Sequence, residues 1–589
     1  MQTYKAPVED MRFLLEAMGY DQVASIEKLS SYDLDTVSEM LAQTGTFMRE
    51  TLLPTNRVGD EQGLKWDSET GAVTTPDGFK EAYRAMVENG YIGISVDEEF
   101  GGGGAPTTLA SLISEMSCAT NKSLMMCPGL THGLMEAIEE HGNDAQKKYY
   151  LPKLASGEWS GTMCLTEPQC GTDLGLISTK AEPEGDHYKV TGTKIWITFG
   201  EHDLTDNIIH FVLARLPDAP PGIKGISVFM VPKVLESGER NRIKCIGLEH
   251  KMGIHGSPTC VMEMDGAEGY LVGEPHKGMR AMFTMMNRAR LAVGLEGVAL
   301  SEIAYQTALE FAKDRKQSRA LDPAKRDPNS SADNILVHPD VRRMLLNIKS
   351  TTEAMRALGT FVSIHLDLSL AHPDEEVRQR SDDLVALLTP VVKSYFTEQG
   401  FLNVSEAMQV CGGAGYTKDW SIEQYLRDAR IAMIYEGTNH IQALDLVGRK
   451  LPLHGGRLLQ TFQTEVTNVI RSAKDDPDLQ PFVDGLKAAS KQLTEVTMAL
   501  GGKAMEDPEE AGAVASTYLN LFALTACAFC WVKQLQHAKS RSDSVAAVKF
   551  KTARYWFEVV LPEREALARR VQAGKDPIMS VEPEELEIA

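Results

Sequence analysis

His187-Tyr188-Lys189-Val190-Thr191-Gly192-Thr193-Lys194-Ile195-Trp196-Ile197-Thr198 lies within a chain of 589 residues. It alternates in side-chain character and is rich in β-branched and aromatic residues, the pattern of a half-buried strand. Residues 207–216, 225–231 and 259–264 read the same way. Glycine and proline separate them at short intervals, with no helical pattern long enough for a crossover between parallel strands. Together they predict an antiparallel β domain over 160–278.

Outward from this domain the period becomes helical. Leu34, Val37, Met40 and Leu41, then Leu130, Leu134 and Ile138, recur at helical spacing. They predict an N-terminal helical domain over 36–159, preceded by a helical arm over 1–35. Helical spacing resumes at Met279 and runs to 450. A polar cluster of Pro, Asp, Asn and Ser at 318–333, within an insertion over 318–338, reads as a surface loop. Residues 451–456, with Pro452 and two glycines, form a linker to a further helical domain over 457–589. The fold class is α+β, in the order helices, β domain, helices, more helices.

Composition excludes several classes. Lys and Arg number 60 against 82 Asp and Glu, a net charge of −22, which makes nucleic acid and anionic membranes poor partners. Residues 451–589 alone carry 16 basic against 19 acidic residues, so no basic patch favours a DNA backbone there. Nine scattered cysteines fit a reduced, cytoplasmic setting. Cys527 and Cys530 lie in the apolar run 518–532, and their helical spacing predicts a core position rather than a metal site. That run contains Asn520 and is too short to span a membrane. The first residues lack a basic segment followed by an apolar one, so no signal peptide is expected. No metal-binding spacing such as HExxH occurs among the 14 histidines.

One carboxylate stands out. In Ile431-Ala432-Met433-Ile434-Tyr435-Glu436-Gly437-Thr438, Glu436 follows an apolar lead-in and precedes glycine. Apolar surroundings disfavour the charged form and raise a carboxyl toward the working pH of a general base. Gly437 removes a side chain where a substrate must approach. The plain alternative is a surface Glu at a helix end. The glycines 101–104 are followed by neither Gly-Lys-Ser/Thr nor an immediate helix and read as a turn. No GxGxxG follows a strand, so a Rossmann site is not supported.

Four segments, in order, resemble the acyl-CoA dehydrogenase family. Met163-Cys164-Leu165-Thr166-Glu167-Pro168-Gln169-Cys170-Gly171-Thr172-Asp173 is similar to its flavin-contacting signature. Lys194 to Gly200 is similar to its second flavin segment. Gln409-Val410-Cys411-Gly412-Gly413-Ala414-Gly415-Tyr416 resembles its glycine-rich segment, and Arg430 through Gln442 the stretch that carries its base. The resemblance covers roughly 40–450, and the extra C-terminal helices resemble a longer bacterial subgroup.

It implies an N-terminal helical domain, a central β domain, a C-terminal four-helix bundle and an added helical domain. It implies FAD as cofactor, with Met163, Leu165, Thr166 and Thr172 along one side of the ring and Trp196 and Thr198 against the other. Strand packing is the plain reading of Trp196, and a charge at a helix end that of Arg315. Arg315 and Gln317, with Gln409 and Gly413, match an FAD contact made between subunits, which implies a homodimer at least. Ser318 stands where the family commonly has Phe-Gly. Thr172, Asn287, Arg290, Tyr435 and Gly437 would meet substrate, and Thr438 the cofactor. Residues 279–295 hold no Asp or Glu, which leaves Glu436 as the base. The implied reaction is α,β-dehydrogenation of an acyl-CoA to the trans-2-enoyl-CoA. The subgroup points to 3-methylmercaptopropionyl-CoA as substrate and electron-transfer flavoprotein as acceptor. Short or medium straight chains, an oxidase, and an alkylation-response flavoprotein that binds nucleic acid are the competing readings.

Overall fold

The computed structural model describes residues 2–588, apart from the side chains of Asn287 and Arg288. Contacts divide the chain into two units. One takes in Thr46–Pro106 and Met116–Ala292, the other the arm up to Gly45, Thr107–Glu115 and everything from Val293 onward.

The first unit carries the strands. In chain order they are β1 (Lys65–Trp66), β2 (Val73–Thr74), β3 (Trp159–Cys164), β4 (Lys180–Glu184), β5 (His187–Thr198), β6 (Asn207–Arg215), β7 (Ile226–Pro232), β8 (Ile243–Leu248) and β9 (Thr259–Leu271). β1 and β2 form a separate small pair. The hairpin β4–β5 turns at Gly185-Asp186, with Gly185 at φ +65° and Glu184 opposite His187. Pairings then run β4–β5–β9–β7–β6 and return to β4, closing a ring to which β3 and β8 are added. The expected antiparallel arrangement holds except where β3 and β4 run parallel to β6. The intervening β4–β5 hairpin lets the chain return to β3 in the same direction.

Alternation along β6 sorts side chains between two cores. Val212 and Ala214 join Val190, Phe229, Val231 and Met262 in one. Ile209, Phe211 and Leu213 join Leu134, Ile138, Leu151, Met282 and Met285 in the other.

The second unit is helical. Its helices include Pro339–Ala371 and Glu375–Cys411. A Cβ on Gly297 would lie 2.0 Å from the Phe396 carbonyl oxygen, and one on Gly400 would lie 2.6 Å from the Gly297 Cα. Backbone meets backbone here, which only glycine allows. The helix Pro508–Lys539 is long and apolar enough to cross a membrane, yet 78% of its apolar window is buried within the fold. Cys527 and Cys530 sit in that core, where their spacing placed them. No metal-holding cluster occurs among the described residues. A buried ion network ties the arm to later helices. Arg356 reaches Asp10 at 2.8 Å, Glu115 at 2.7 Å and Glu302 at 2.6 Å, and Lys549 reaches Asp10 at 2.5 Å and Glu353 at 2.9 Å.

Candidate active site

In the strand-bearing unit, the segment after β3 is fastened to β5 by a buried ion pair. Lys194 and Glu167 are fully buried, and the Lys194 ammonium donates to Glu167 Oε1 at 2.8 Å and to the Leu165 carbonyl at 2.9 Å. Glu167 also accepts from the backbone N–H and hydroxyl of Ser178, from those of Thr179, and from the Gln169 amide. Burial alone would raise its carboxyl, but Lys194 and these donors hold it down at about 2. The Ile195 N–H then donates to the Thr166 carbonyl at 2.9 Å, laying the two flavin-type segments side by side.

Trp196 is where the strand departs from alternation. The β5–β9 register shifts between Lys194 and Ile197, so residues 195 and 196 bulge, and Trp196 takes φ +58°. A bulge re-aims a side chain. Lys194 and Ile197 stay buried while the Trp196 ring is 60% exposed. Strand packing therefore does not account for Trp196. Met163, Thr166 and Thr198 are half-buried, Leu165 is buried, and Thr172 is exposed. An open indole beside the half-buried Thr166 and Thr198 on paired segments fits a flat ring system with polar edges, so these residues suit FAD. Arg290, on the helix Gly278–Asp314, is buried. The side chain of Asn287 lies outside the described residues.

In the helical unit, Glu436 sits after the tight turn Ile431–Met433 and before the helix Asn439–Asp445. It adopts φ +56°, and Gly437 follows at φ +83°. Left-handed geometry is unusual for a residue with a Cβ and gathers at functional sites. The backbone itself therefore favours glycine at 437. Glu436 is half-buried with its Oε2 buried. Tyr435, half-buried, donates its hydroxyl to Glu296. Thr438 caps the following helix, its hydroxyl accepting from the Ile441 N–H at 3.4 Å.

Two buried groups that the sequence reading did not single out grip this turn. Lys393 donates to the Gly437 carbonyl at 2.7 Å and to Asn439 Oδ1 at 3.1 Å. The Gln442 amide donates to the carbonyls of Glu436 and Gly437 at 3.2 and 3.3 Å. A lysine in the apolar stretch Val391-Val392-Lys393 was the available signal for the first.

Arg315 and Gln317 are exposed, as are Gln409 and Gly413 at the end of the helix Glu375–Cys411. The insertion beside Gln317 folds around the buried carboxylate of Asp333. Asp333 accepts from the N–H of Ala320 at 2.7 Å and of Asp327 at 2.6 Å and faces Arg319 at 3.3 Å. Its own carbonyl accepts from the Gln317 N–H. The loop is therefore built around one side chain and fixes Gln317 while leaving it exposed.

One unit thus carries an exposed aromatic on a bulged strand and the other a carboxylate on a left-handed turn, and the family models say which class of oxidoreductase the chain is. Family models agree along the chain. The acyl-CoA dehydrogenase N-terminal domain matches residues 26–158, the middle domain 162–267 and the C-terminal domain 276–451, and the acetyl-CoA dehydrogenase C-terminal-like domain matches 462–582. The 3-methylmercaptopropionyl-CoA dehydrogenase of Ruegeria pomeroyi is 45% identical over 467 residues, covering 78% of each chain. The crystal structure of Caenorhabditis elegans ACDH-11 in complex with C11-CoA superposes with a TM-score of 0.80 at 20% identity, over 98% of this chain and 95% of that one. An acyl-CoA dehydrogenase from Bacillus anthracis complexed with FAD does so with a TM-score of 0.73 at 24% identity, over 90% and 87%. This chain belongs to the acyl-CoA dehydrogenase family. It is an FAD-dependent oxidoreductase whose extra C-terminal helices are part of the shared fold.

Proposed function

We propose that the chain dehydrogenates an acyl-CoA thioester to the trans-2-enoyl-CoA with Glu436 as the base that removes the α proton. The observation that carries this reading is the left-handed Glu436 with its buried carboxylate oxygen, held on a turn gripped by buried donors. The thioester carbonyl acidifies the α hydrogen, and the Glu436 N–H donates to that oxygen as negative charge develops on it. The family resemblance assigns substrate contacts to Tyr435 and Gly437 and to Arg290, Asn287 and Thr172. Bound FAD supplies the acceptor for the hydride that leaves the β carbon. By the same resemblance, Met163, Leu165, Thr166, Thr172, Trp196, Thr198 and Thr438 would hold it.

Arg315, Gln317, Gln409 and Gly413 are open to solvent, which supports their reaching the FAD of a second copy in a homodimer. The division 1–35, 36–159, 160–278, 279–450 and 457–589, a cytoplasmic setting, and electron-transfer flavoprotein as acceptor belong to the same reading. The substrate is 3-methylmercaptopropionyl-CoA, supported by the Ruegeria relative.

Anaerobic bleaching of the flavin by 3-methylmercaptopropionyl-, butyryl-, octanoyl- and palmitoyl-CoA tests the proposal. Glu436→Gln should retain FAD and lose about a hundred- to ten-thousand-fold in bleaching rate. Fast bleaching that survives the substitution would move the base elsewhere. A preference for butyryl- or octanoyl-CoA would replace the sulfur-containing substrate.

A further inference from the structure

We propose that Lys393 is the positioning residue of the proton-abstracting turn, fixing the direction of the Glu436 side chain through the peptide groups on its C-terminal side. The inference rests on the reading of Glu436 as the base.

Lys393 lies in the middle of the helix Glu375–Cys411 and is completely buried. An ammonium inside a protein is costly unless hydrogen bonds satisfy it. A residue needed only to fill this space would be leucine or methionine. The Lys393 ammonium instead donates to the Gly437 carbonyl at 2.7 Å and to Asn439 Oδ1 at 3.1 Å. Asn439 is itself fastened to the same helix. Its Oδ1 accepts from the Thr397 hydroxyl at 3.2 Å, and its Nδ2 donates to the Ser394 carbonyl at 3.1 Å. Residues 393, 394 and 397 fall within one turn of that helix, so one stretch of rigid backbone anchors both the turn and the first residue of the next helix.

The turn needs such an anchor. Glu436 and Gly437 are consecutive left-handed residues, and the first carries a Cβ, which that region of backbone disfavours. Strain of this kind persists only where the surroundings over-determine it. The Glu436 carbonyl is held by Gln442, and the Gly437 carbonyl by Gln442 and Lys393 together. Two successive peptide planes on the C-terminal side of Glu436 are thereby held, and they restrict its Cα–Cβ direction. The glycine contact of Gly297 with Phe396 and Gly400 brings the helix Gly278–Asp314 against the same stretch of Glu375–Cys411. Glu296, one residue before Gly297, takes the Tyr435 hydroxyl there. The base is thus clamped through both its neighbours, and Lys393 is the ammonium of that clamp.

The test uses the full-length holoenzyme and compares K393M, K393Q and E436Q. Two rates are read per bound flavin: anaerobic bleaching by the preferred thioester, and loss of α deuterium from deuterated acetyl-CoA to water. Acetyl-CoA has no β carbon, so its exchange reports proton abstraction without hydride transfer. FAD content and melting temperature are read alongside. K393M should retain FAD and a KM within about twofold while both rates fall about a hundredfold, the scale of a small misplacement of a reacting group. K393Q, which keeps a donor without the charge, should fall between K393M and the parent. If K393M does not fold, a loss in K393Q of both rates at unchanged KM carries the proposal. E436Q that exchanges and bleaches normally would overturn the base assignment and this inference together. E436Q that fails while the lysine variant keeps both rates per flavin within about threefold would overturn the inference alone, whatever happens to its melting temperature.

Discussion

Two fully buried lysines do the same local job in the two units and differ in what surrounds them. Lys194 donates to the Leu165 carbonyl and to the Glu167 carboxylate, fastening the segment after β3 to β5. Lys393 donates to the Gly437 carbonyl and to the neutral Asn439 Oδ1, beneath a strained turn. In the first case the lysine completes an ion pair whose carboxylate gathers donors from Ser178, Thr179 and Gln169. In the second the lysine holds a backbone geometry unfavourable by itself. A buried ion pair between two chain segments is expected to govern whether the segment folds, whereas a donor beneath a left-handed turn is expected to govern how a formed site is aimed.

That contrast can be broken most directly at Lys194. Removing one partner of a buried ion pair leaves an uncompensated charge, a loss of about 3–5 kcal/mol. K194M should therefore show a sharply lower melting temperature and reduced FAD content, yet close to normal bleaching per flavin that remains bound. A variant that melts normally and bleaches slowly would make Lys194 a counterpart of Lys393 and erase the distinction.

Acid titration sharpens the same comparison. Glu167 is held at about 2 against an ordinary 4.5. The stabilisation it provides is complete above pH 4.5 and is lost as the pH falls toward 2. Denaturant unfolding across that window should show stability falling with pH in the parent and a shallower slope in E167Q. Equal slopes would mean that Glu167 is not tightly bound. The smallest effect is expected at Trp196, whose ring takes little part in the core. W196A should weaken FAD binding about tenfold, the scale of one aromatic contact, while the apoprotein melts as before. A large drop in apoprotein stability would return Trp196 to the role of a packed strand residue.

The helix–β–helix order was legible because hydrophobic period is a local property, and His187 to Thr198 displays it within a dozen residues. The bulge at Trp196 was not, since it arises from how Lys194 and Ile197 pair with Met262 and Cys260 across the sheet. Glu436 could be singled out from its apolar lead-in and following glycine. Its left-handed backbone could not, because the donors that sustain it come from Lys393 and Gln442. Glu167 was visible only as part of a resemblance, and its partner Lys194 lies on another strand. The parallel pairing of β3 with β6 likewise depends on the hairpin between them. What sequence conceals here is set by partners distant along the chain.

The network around Asp10 has a consequence in time. Asp10 stands in the first helix, Val8–Met18, and its cationic partners are Arg356 and Lys549. During synthesis, at about 5–20 residues per second, roughly half a minute to two minutes separate the emergence of Asp10 from that of Lys549. The helix Val8–Met18 is thus made well before the last of its ionic partners. Over that interval the nascent chain must carry an apolar face, with Phe13, Leu14 and Leu15 destined for burial. Full pairing of Asp10 therefore waits on a helix made more than 500 residues later.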